Sequence, residues 1–351
     1  MCHQLTIEPL GAVVDVEPGQ TMLDAALRAG IYLPHACGHG LCGSCKVQVL
    51  CGEVDLGAAN PFALMDFERE EGRALACCAT LEDDCTIEAE IDEDPDAQVI
   101  PVDDYQGVIT DIEDLTPTIR AIHLRLDRPL RFQAGQYVQL QVPGLAQPRA
   151  FSIANAPGAD GTSADIELNV RRVPGGEATT WLHTQAEPGR ALALSGPYGR
   201  FFVRASARRP MVFLAGGSGL SSPRAMIHDL LDGGCALPIT LVHGQRNAAE
   251  LYYDAEFRAL AQRHSNFRYL PVLSDAGAEG VAHGFVHDAA RDLFGNDFSG
   301  HQAYLCGPPL MIDACITTLM QGRLYERDIY FEKFLSAADA QQVRSPLFRK
   351  V

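Results

Sequence analysis

The sequence predicts a multidomain chain: a small α+β domain of β-grasp type, an antiparallel β-barrel, and an α/β domain built on a parallel sheet. Three observations carry this. Near the start, cysteines stand among glycines at Cys37, Cys42 and Cys45, with a fourth at Cys77 or Cys78. Between 105 and 170, short alternating segments follow one another at strand length. Beyond Arg208, apolar strands alternate with segments of helix length. A chain of 351 residues accommodates two or three such domains.

The cysteine-rich stretch runs Pro34-His-Ala-Cys37-Gly-His-Gly-Leu-Cys42-Gly-Ser-Cys45 and is answered by Leu75-Ala-Cys77-Cys78. The spacing C-x4-C-x2-C with a distant fourth cysteine is the plant-type pattern for a 2Fe–2S cluster held by four thiolates. Such a cluster is anionic, so its loop must aim backbone N–H groups at sulfur. Gly38, Gly40 and Gly43 suit that task, because glycine takes positive φ cheaply. Structural zinc would want two C-x2-C knuckles or histidines at ligand spacing, and only one knuckle exists. A Rieske centre would need a second Cys/His pair after Cys37-Gly-His39, and none follows. The Ala-Leu-Ala-Cys frame leading toward the alternating Thr86–Ile91 favours Cys77 over Cys78 as fourth ligand. Cys2, Cys51, Cys85, Cys235 and Cys315 read as small buried or surface thiols.

Charge is uneven. The net charge is −17, yet residues 1–100 hold 19 acidic against 4 basic side chains. This argues against nucleic acid as a partner. It is consistent with a solvated acidic face, or with steering of a basic protein partner toward the cysteine loop. No apolar run approaches the ~20 residues of a membrane span, and the N-terminus carries no basic-then-apolar signal. Eleven cysteines without such a signal suggest reduced thiols and metal ligands in a cytoplasmic protein.

In chain order, residues 3–8 and 12–16 alternate and predict a hairpin. Thr21 and Asp24 before Ala25–Gly30 predict a capped helix stopped by glycine. Lys46–Leu50 is a strand leaving the cysteine loop, and the acidic Asp92–Asp96 reads as a linker. The barrel is predicted from strands at 105–110, 119–126, 136–142 and 165–170. Within it, Arg149-Ala-Phe151-Ser152 offers a cation, an aromatic ring and a hydroxyl. Val170-Arg171-Arg172 precedes Gly175-Gly176-Glu-Ala-Thr179, a glycine turn into a helix with N–H groups free for a diphosphate. Ser195–Gly199 reads as a tight turn at a strand end. In the last domain, Pro210–Ala215 runs into Gly216-Gly217-Ser218-Gly219 and then a helix, the strand–turn–helix by which α/β sheets cradle a nucleotide diphosphate. Strands at 238–243, 267–273 and 301–306 follow, with a helix over Glu250–Arg263, and Cys306-Gly-Pro-Pro309 closes the last of them.

Taken together, these pieces resemble the ferredoxin-NADP reductase-like electron-transfer family, in the order ferredoxin, flavin barrel, nicotinamide domain. Within it the chain resembles the reductase components of multicomponent phenol hydroxylases. The resemblance covers the whole chain and rests on Ala36–Gly40, Gly57–Arg69, Ala215–Pro223, Leu305–Pro309 and Met320–Ile329. It implies domains at 1–95 (2Fe–2S, ferredoxin-like), 101–206 (FAD-binding barrel) and 207–351 (NAD(P)H-binding). It implies cluster ligands Cys37, Cys42, Cys45 and Cys77. Arg149, Phe151 and Ser152 match the flavin motif, and Arg171, Gly176 and Thr179 its second diphosphate segment, with Arg171 and Arg172 both open as the inward residue. Gly216, Gly217 and Gly219 match the nicotinamide-nucleotide loop, Cys306 the residue at the nicotinamide ring, and Glu332 a carboxylate near the flavin. About seventeen residues follow Phe334, whereas many members end close to it.

The function so implied is electron transfer from NADH through FAD and the 2Fe–2S cluster to a separate di-iron hydroxylase acting on phenol-type aromatics. The resemblance also implies FAD over FMN, partly because the ferredoxin module is N-terminal here, whereas members with FMN carry it at the other end. Arg246, at the end of the strand His243-Gly-Gln-Arg246, could bind a 2′-phosphate, so NADPH is possible although NADH is expected. A different acceptor (a toluene or alkene monooxygenase, or a ring dioxygenase) and a redox-sensing module are the competing readings.

Overall fold

The computed structural model describes residues 2–35, 38–91, 94–275, 277–278 and 280–334. Of the sequence expectations, Cys37, part of the acidic linker (Asp92 and Glu93) and the tail after Phe334 lie outside these residues. The chain divides into two compact units, Met1–Asp103 and Asp104–Val351.

The first unit is built on a five-stranded mixed sheet. Its order is Ala12–Val16, His3–Glu8, Cys85–Glu88, Lys46–Cys51, Arg73–Leu75, with His3–Glu8 and Cys85–Glu88 parallel. Alternation explains it: Leu5, Ile7, Val14, Val16, Val47 and Ile87 all point to one buried face. The expected helix covers Met22–Arg28, and the Thr21 side chain caps it by accepting from the Asp24 N–H. That helix also fixes the cysteine pair. The Leu23 N–H donates to Ala76 O at 2.9 Å and the Met22 N–H to Ala79 O at 3.0 Å, bracketing Cys77 and Cys78. Val102 is buried, and its N–H donates to Leu27 O at 3.1 Å, so the segment after the acidic stretch folds onto this unit.

The second unit opens with six antiparallel strands in the order Arg149–Ser152, Tyr137–Leu140, Ala191–Tyr198, Asp103–Asp114, Ile119–Arg131, Thr162–Arg171. Ile153 bridges Leu168, so the two outer strands of this sheet meet and it curls shut around Ile122, Leu124, Val138, Leu140 and Leu168. Ser195–Tyr198 is not the turn the sequence suggested. It continues the strand Ala191–Tyr198, and the positive φ of +91° falls at Gly199.

Next comes a six-stranded parallel sheet: Ala282–His283, Phe267–Leu273, Ile239–Gln245, Met211–Gly216, Gln302–Gly307, Ile329–Lys333. Successive strands step outward from Met211–Gly216 in one direction, then return to its other side at Gln302–Gly307. The crevice beyond the carboxyl ends of those two strands is a topological switch point, where open α/β sheets bind ligands. The expected helix from Glu250 starts instead at Asp254. Tyr253 sits at φ +55°, which breaks the helical run, and residues 248–250 form a separate turn of 3-10 helix.

Candidate functional site

In the first unit the cysteine loop is shaped by its glycines. Gly38, Gly40 and Gly43 have φ of +68°, +72° and +75°. Gly40 is the most constrained: a β-carbon there would lie 2.5 Å from Cys78 Sγ, and its N–H donates to Cys77 Sγ at 3.2 Å. The Ser44 N–H approaches Cys42 Sγ at 3.5 Å. Cys45 is buried while Cys42, Cys77 and Cys78 are half-buried. A hydrogen bond with Cys77 draws the Cys45 thiol below its usual range, whereas the same contact and burial push Cys77 up. These thiols stand for the thiolates that a bound cluster would require. In a 2Fe–2S centre each iron takes only two protein sulfurs, so the ligands need not converge on one point. Among the described residues no group of three or more His, Cys, Asp or Glu side chains does so. Sulfur-only donors facing backbone N–H groups fit an anionic iron–sulfur cluster.

Residues 57–69 back this loop. The Asn60 N–H donates to Gly40 O at 3.1 Å, and Arg69 donates to Ala59 O at 3.0 Å and Leu64 O at 3.2 Å. Lys46 Nζ meets Glu68 Oε1 at 2.6 Å and holds the Glu68 carboxyl below its usual range.

In the second unit, Ser152, Cys306 and Glu332 converge at the switch point. Ser152 Oγ lies 3.4 Å from Glu332 Oε2, and Cys306 Sγ 3.9 Å from the same oxygen. Strand register delivers the last two, because Cys306 pairs with Ala215 on one side and Glu332 on the other. Burial pushes the Glu332 carboxyl up to about 7 against the hydrogen bonds it receives. Burial and the Glu332 charge likewise raise the Cys306 thiol well above its usual value. The fully buried Ser222 hydroxyl borders both groups and lowers the pKa of each against the effect of burial. Sequence reasoning passed over Ser222; a serine in the first turn of a helix gives no sign of pointing inward.

The glycines of the nucleotide loop are set by close approach. A β-carbon at Gly219 would fall 2.4 Å from Cys306 O, and one at Gly216 2.4 Å from Met311 Sδ. Gly217 O accepts from the Tyr252 hydroxyl at 2.9 Å and from Gln245 at 3.3 Å. Beneath lies His243, fully buried and held neutral because burial lowers its pKa to about 3. Arg246 is exposed at the end of that strand.

Of the flavin-motif residues, Ser152 is buried and Phe151 half-buried, while Arg149 donates to the nearby Gln147 O and Pro148 O at 2.9 and 3.0 Å. Arg171 reaches toward Gly217; Arg172 is exposed, and its N–H pairs with Thr118 O. Gly176 caps the helix Glu177–Thr184. The Thr179 hydroxyl closes that turn, accepting from the Val173 N–H at 3.1 Å and donating to Gly176 O at 3.3 Å. Beside it opens a cavity of about 320 Å³ lined by Leu145, Gly175, Gly176, Thr180 and Trp181. A helix N-terminus beside an apolar wall fits a dinucleotide with a diphosphate.

A sulfur-lined loop in one unit, with a curled barrel and a nucleotide loop in the other, defines an iron–sulfur flavoprotein that oxidises a nicotinamide nucleotide. Family models agree: a 2Fe-2S iron-sulfur cluster binding domain matches residues 5–82, an oxidoreductase FAD-binding domain residues 106–203, and an oxidoreductase NAD-binding domain residues 213–317. The protein is therefore an oxidoreductase taking a 2Fe–2S cluster, FAD and NADH. The chain is 55% identical, over the full length of both, to the reductase component DmpP of phenol 2-monooxygenase from Pseudomonas sp. (strain CF600). It is 54% identical, again over both full lengths, to the phenol hydroxylase P5 protein of Acinetobacter pittii. Among solved structures, the Amycolatopsis cytochrome P450 reductase GcoB superposes with a TM-score of 0.87 at 38% identity, covering 95% of this chain and 98% of that one. The chain belongs to the family of phenol 2-monooxygenase reductase components.

Among the described residues no helix is long and apolar enough to cross a membrane.

Proposed function

We propose that this protein is the NADH-dependent reductase of a phenol monooxygenase, passing electrons to a separate hydroxylase component that carries a di-iron centre. When bound, FAD takes two electrons together from NADH and releases them singly, and the cluster carries single electrons onward. Cys37, Cys42, Cys45 and Cys77 would hold the cluster. Arg149, Phe151, Arg171, Gly176 and Thr179 would hold FAD, and Gly216, Gly217 and Gly219 the dinucleotide, with Arg246 near its adenosine end. The domains are assigned to 1–95, 101–206 and 207–351, and the compartment to the cytoplasm, where free thiols persist.

The observation that carries this reading is the meeting of Ser152, Cys306 and Glu332 where the barrel abuts the nucleotide sheet. Ser152 Oγ can donate toward the flavin, and Glu332 could take up through it the proton that reduced flavin must shed as its electrons leave singly, because its carboxyl titrates close to neutral pH. Cys306, small and uncharged, leaves room for a flat ring and excludes water from it. The acidic excess of residues 1–100 supports docking to a basic face of the hydroxylase.

The test is an anaerobic NADH titration of the purified protein, followed by reconstitution with phenol, toluene, alkene and ring-dioxygenase components. Bleaching of both flavin and cluster, with turnover only alongside a phenol hydroxylase, is expected. Bleaching without turnover beside that hydroxylase would reassign the acceptor, and negligible NADH oxidation with any acceptor would favour a sensor.

A further inference from the structure

We propose that Arg224 is a positioning residue for hydride delivery: it clamps the helix after the nucleotide loop to the flavin barrel, and so sets the distance across the reacting crevice. The inference rests on the reading that hydride passes where Ser152, Cys306 and Glu332 meet.

Arg224 lies in the first turn of the helix Ser221–Asp232, two residues beyond Ser222. Its guanidinium is engaged on two sides. Toward the barrel, Nη1 donates to Glu167 Oε2 and to Ala154 O, each at 3.0 Å. Toward its own domain, Nε and Nη2 grip both oxygens of Glu256 at 2.8 and 3.1 Å, a bidentate pair. The group also stacks over the Tyr253 ring at 4.2 Å, and its side chain is only 14% exposed. The barrel leg is braced in turn. Asn169 donates to Glu167 Oε1 at 2.9 Å, and the Tyr253 hydroxyl donates to Glu167 and, at 3.0 Å, to Asn169 Oδ1.

The placement gives this latch its consequence. Ala154 is two residues past Ser152, on the flavin side; Ser222, beside Cys306 and Glu332, is two residues before Arg224, on the nicotinamide side. One guanidinium therefore ties the two walls of the crevice together within two residues of the groups that face each other across it. Hydride transfer is steep in donor–acceptor distance, so slack here is felt in the rate rather than in nucleotide affinity. A lysine would keep the charge but lose the fork that holds both legs at once.

The experiment compares Arg224→Lys, Glu167→Gln and Glu256→Gln in the holoprotein with wild type. Glu167→Gln weakens only the barrel leg and Glu256→Gln only the leg within the nucleotide domain, so either can be read if Arg224→Lys fails to fold. In Arg224→Lys and Glu167→Gln, flavin reduction at saturating NADH should slow by roughly tenfold or more, with the half-saturating NADH concentration little changed. Amide hydrogen exchange at residues 153 and 154, measured without NADH, should speed up in the same two variants. Glu256→Gln should lose thermal stability yet keep the wild-type limiting rate and exchange. Wild-type reduction rates in Glu167→Gln, or equal slowing in Glu256→Gln, would overturn the proposal. Failure of the wild type itself to be bleached by NADH would instead strike at the proposed function.

Discussion

The guanidinium of Arg171, at the end of the barrel strand Thr162–Arg171, lies over Gly217 of the nucleotide loop, so that a β-carbon on Gly217 would come within 2.8 Å of Nη1. The loop and the barrel's cation thus form one surface, with the Gly217 carbonyl pinned from behind by Tyr252 and Gln245. Gly217 also sits at φ +59°, where an L-residue pays about 1–2 kcal/mol. Gly217→Ala should therefore lower the melting temperature and, by pushing Arg171 aside, raise the KM for NADH several-fold with ferricyanide as acceptor. Unchanged values of both would mean that the loop and Arg171 adjust freely.

Glu332 sets a pH dependence whose sign follows from the direction of its shift. Its folded pKa is raised from an ordinary 4.5 to about 7 by burial. The folded protein thus holds a proton between those values that the unfolded chain has released. The stabilising contribution is complete below pH 4.5 and is lost as pH rises through about 7. If Glu332 takes up through Ser152 the proton that reduced flavin sheds, it must be ionised to do so, and electron delivery from pre-reduced protein to ferricyanide should rise with pH through the same window. Glu332→Gln should flatten both profiles. A wild-type rate profile with no inflection near pH 7, or one that Glu332→Gln reproduces unchanged, would remove Glu332 from proton transfer.

The cluster ligands can be separated by exchanging one sulfur at a time. Cys77 Sγ receives the Gly40 N–H at 3.2 Å, whereas Cys78 Sγ stands 3.7 Å from Cys77 Sγ and crowds the Cα side of Gly40. Cys77→Ser should lose iron and the visible cluster absorption while FAD content stays unchanged; Cys78→Ser should keep iron. Gly40→Ala should behave like Cys77→Ser, since a β-carbon 2.5 Å from Cys78 Sγ at φ +72° leaves the loop no way to close. Iron retained in Cys77→Ser and lost in Cys78→Ser would transfer the ligand role to the neighbour.

Much of this was legible in sequence, for physical reasons that differ from place to place. Period-two alternation located Leu5, Ile7 and Ile87 on one face because a half-buried strand must alternate. Thr21 announced its helix because a side-chain oxygen is needed at an N-terminus, and the glycine-rich turn at 216–219 announced a loop packed tightly on its neighbours. Positive φ at Tyr253 was not legible, since no local preference favours it and tertiary contacts impose it. Nor was the latch at Arg224. It joins positions 57 and 32 residues away, and each charge alone reads as solvated surface. Ser222 was hidden for the same reason, because inward orientation of a hydroxyl in a helix's first turn is decided by packing.

Acid sensitivity should be concentrated in that same latch. Burial alone would raise the Glu256 carboxyl, yet hydrogen bonds from His228 at 2.7 Å and from Arg224 hold it down at about 2, against an ordinary 4.5. A depressed carboxyl stabilises the fold above pH 4.5, and the contribution is lost as pH falls toward 2. Its size is on the order of 2 kcal/mol once partial exposure is allowed for. Thermal unfolding followed from pH 7 to pH 3 should therefore show wild type losing stability steeply below pH 5. Glu256→Gln should start lower at pH 7 and decline more gently, so that the two curves converge in acid. Curves running parallel throughout would show that Glu256 is not the carboxylate whose protonation loosens this unit.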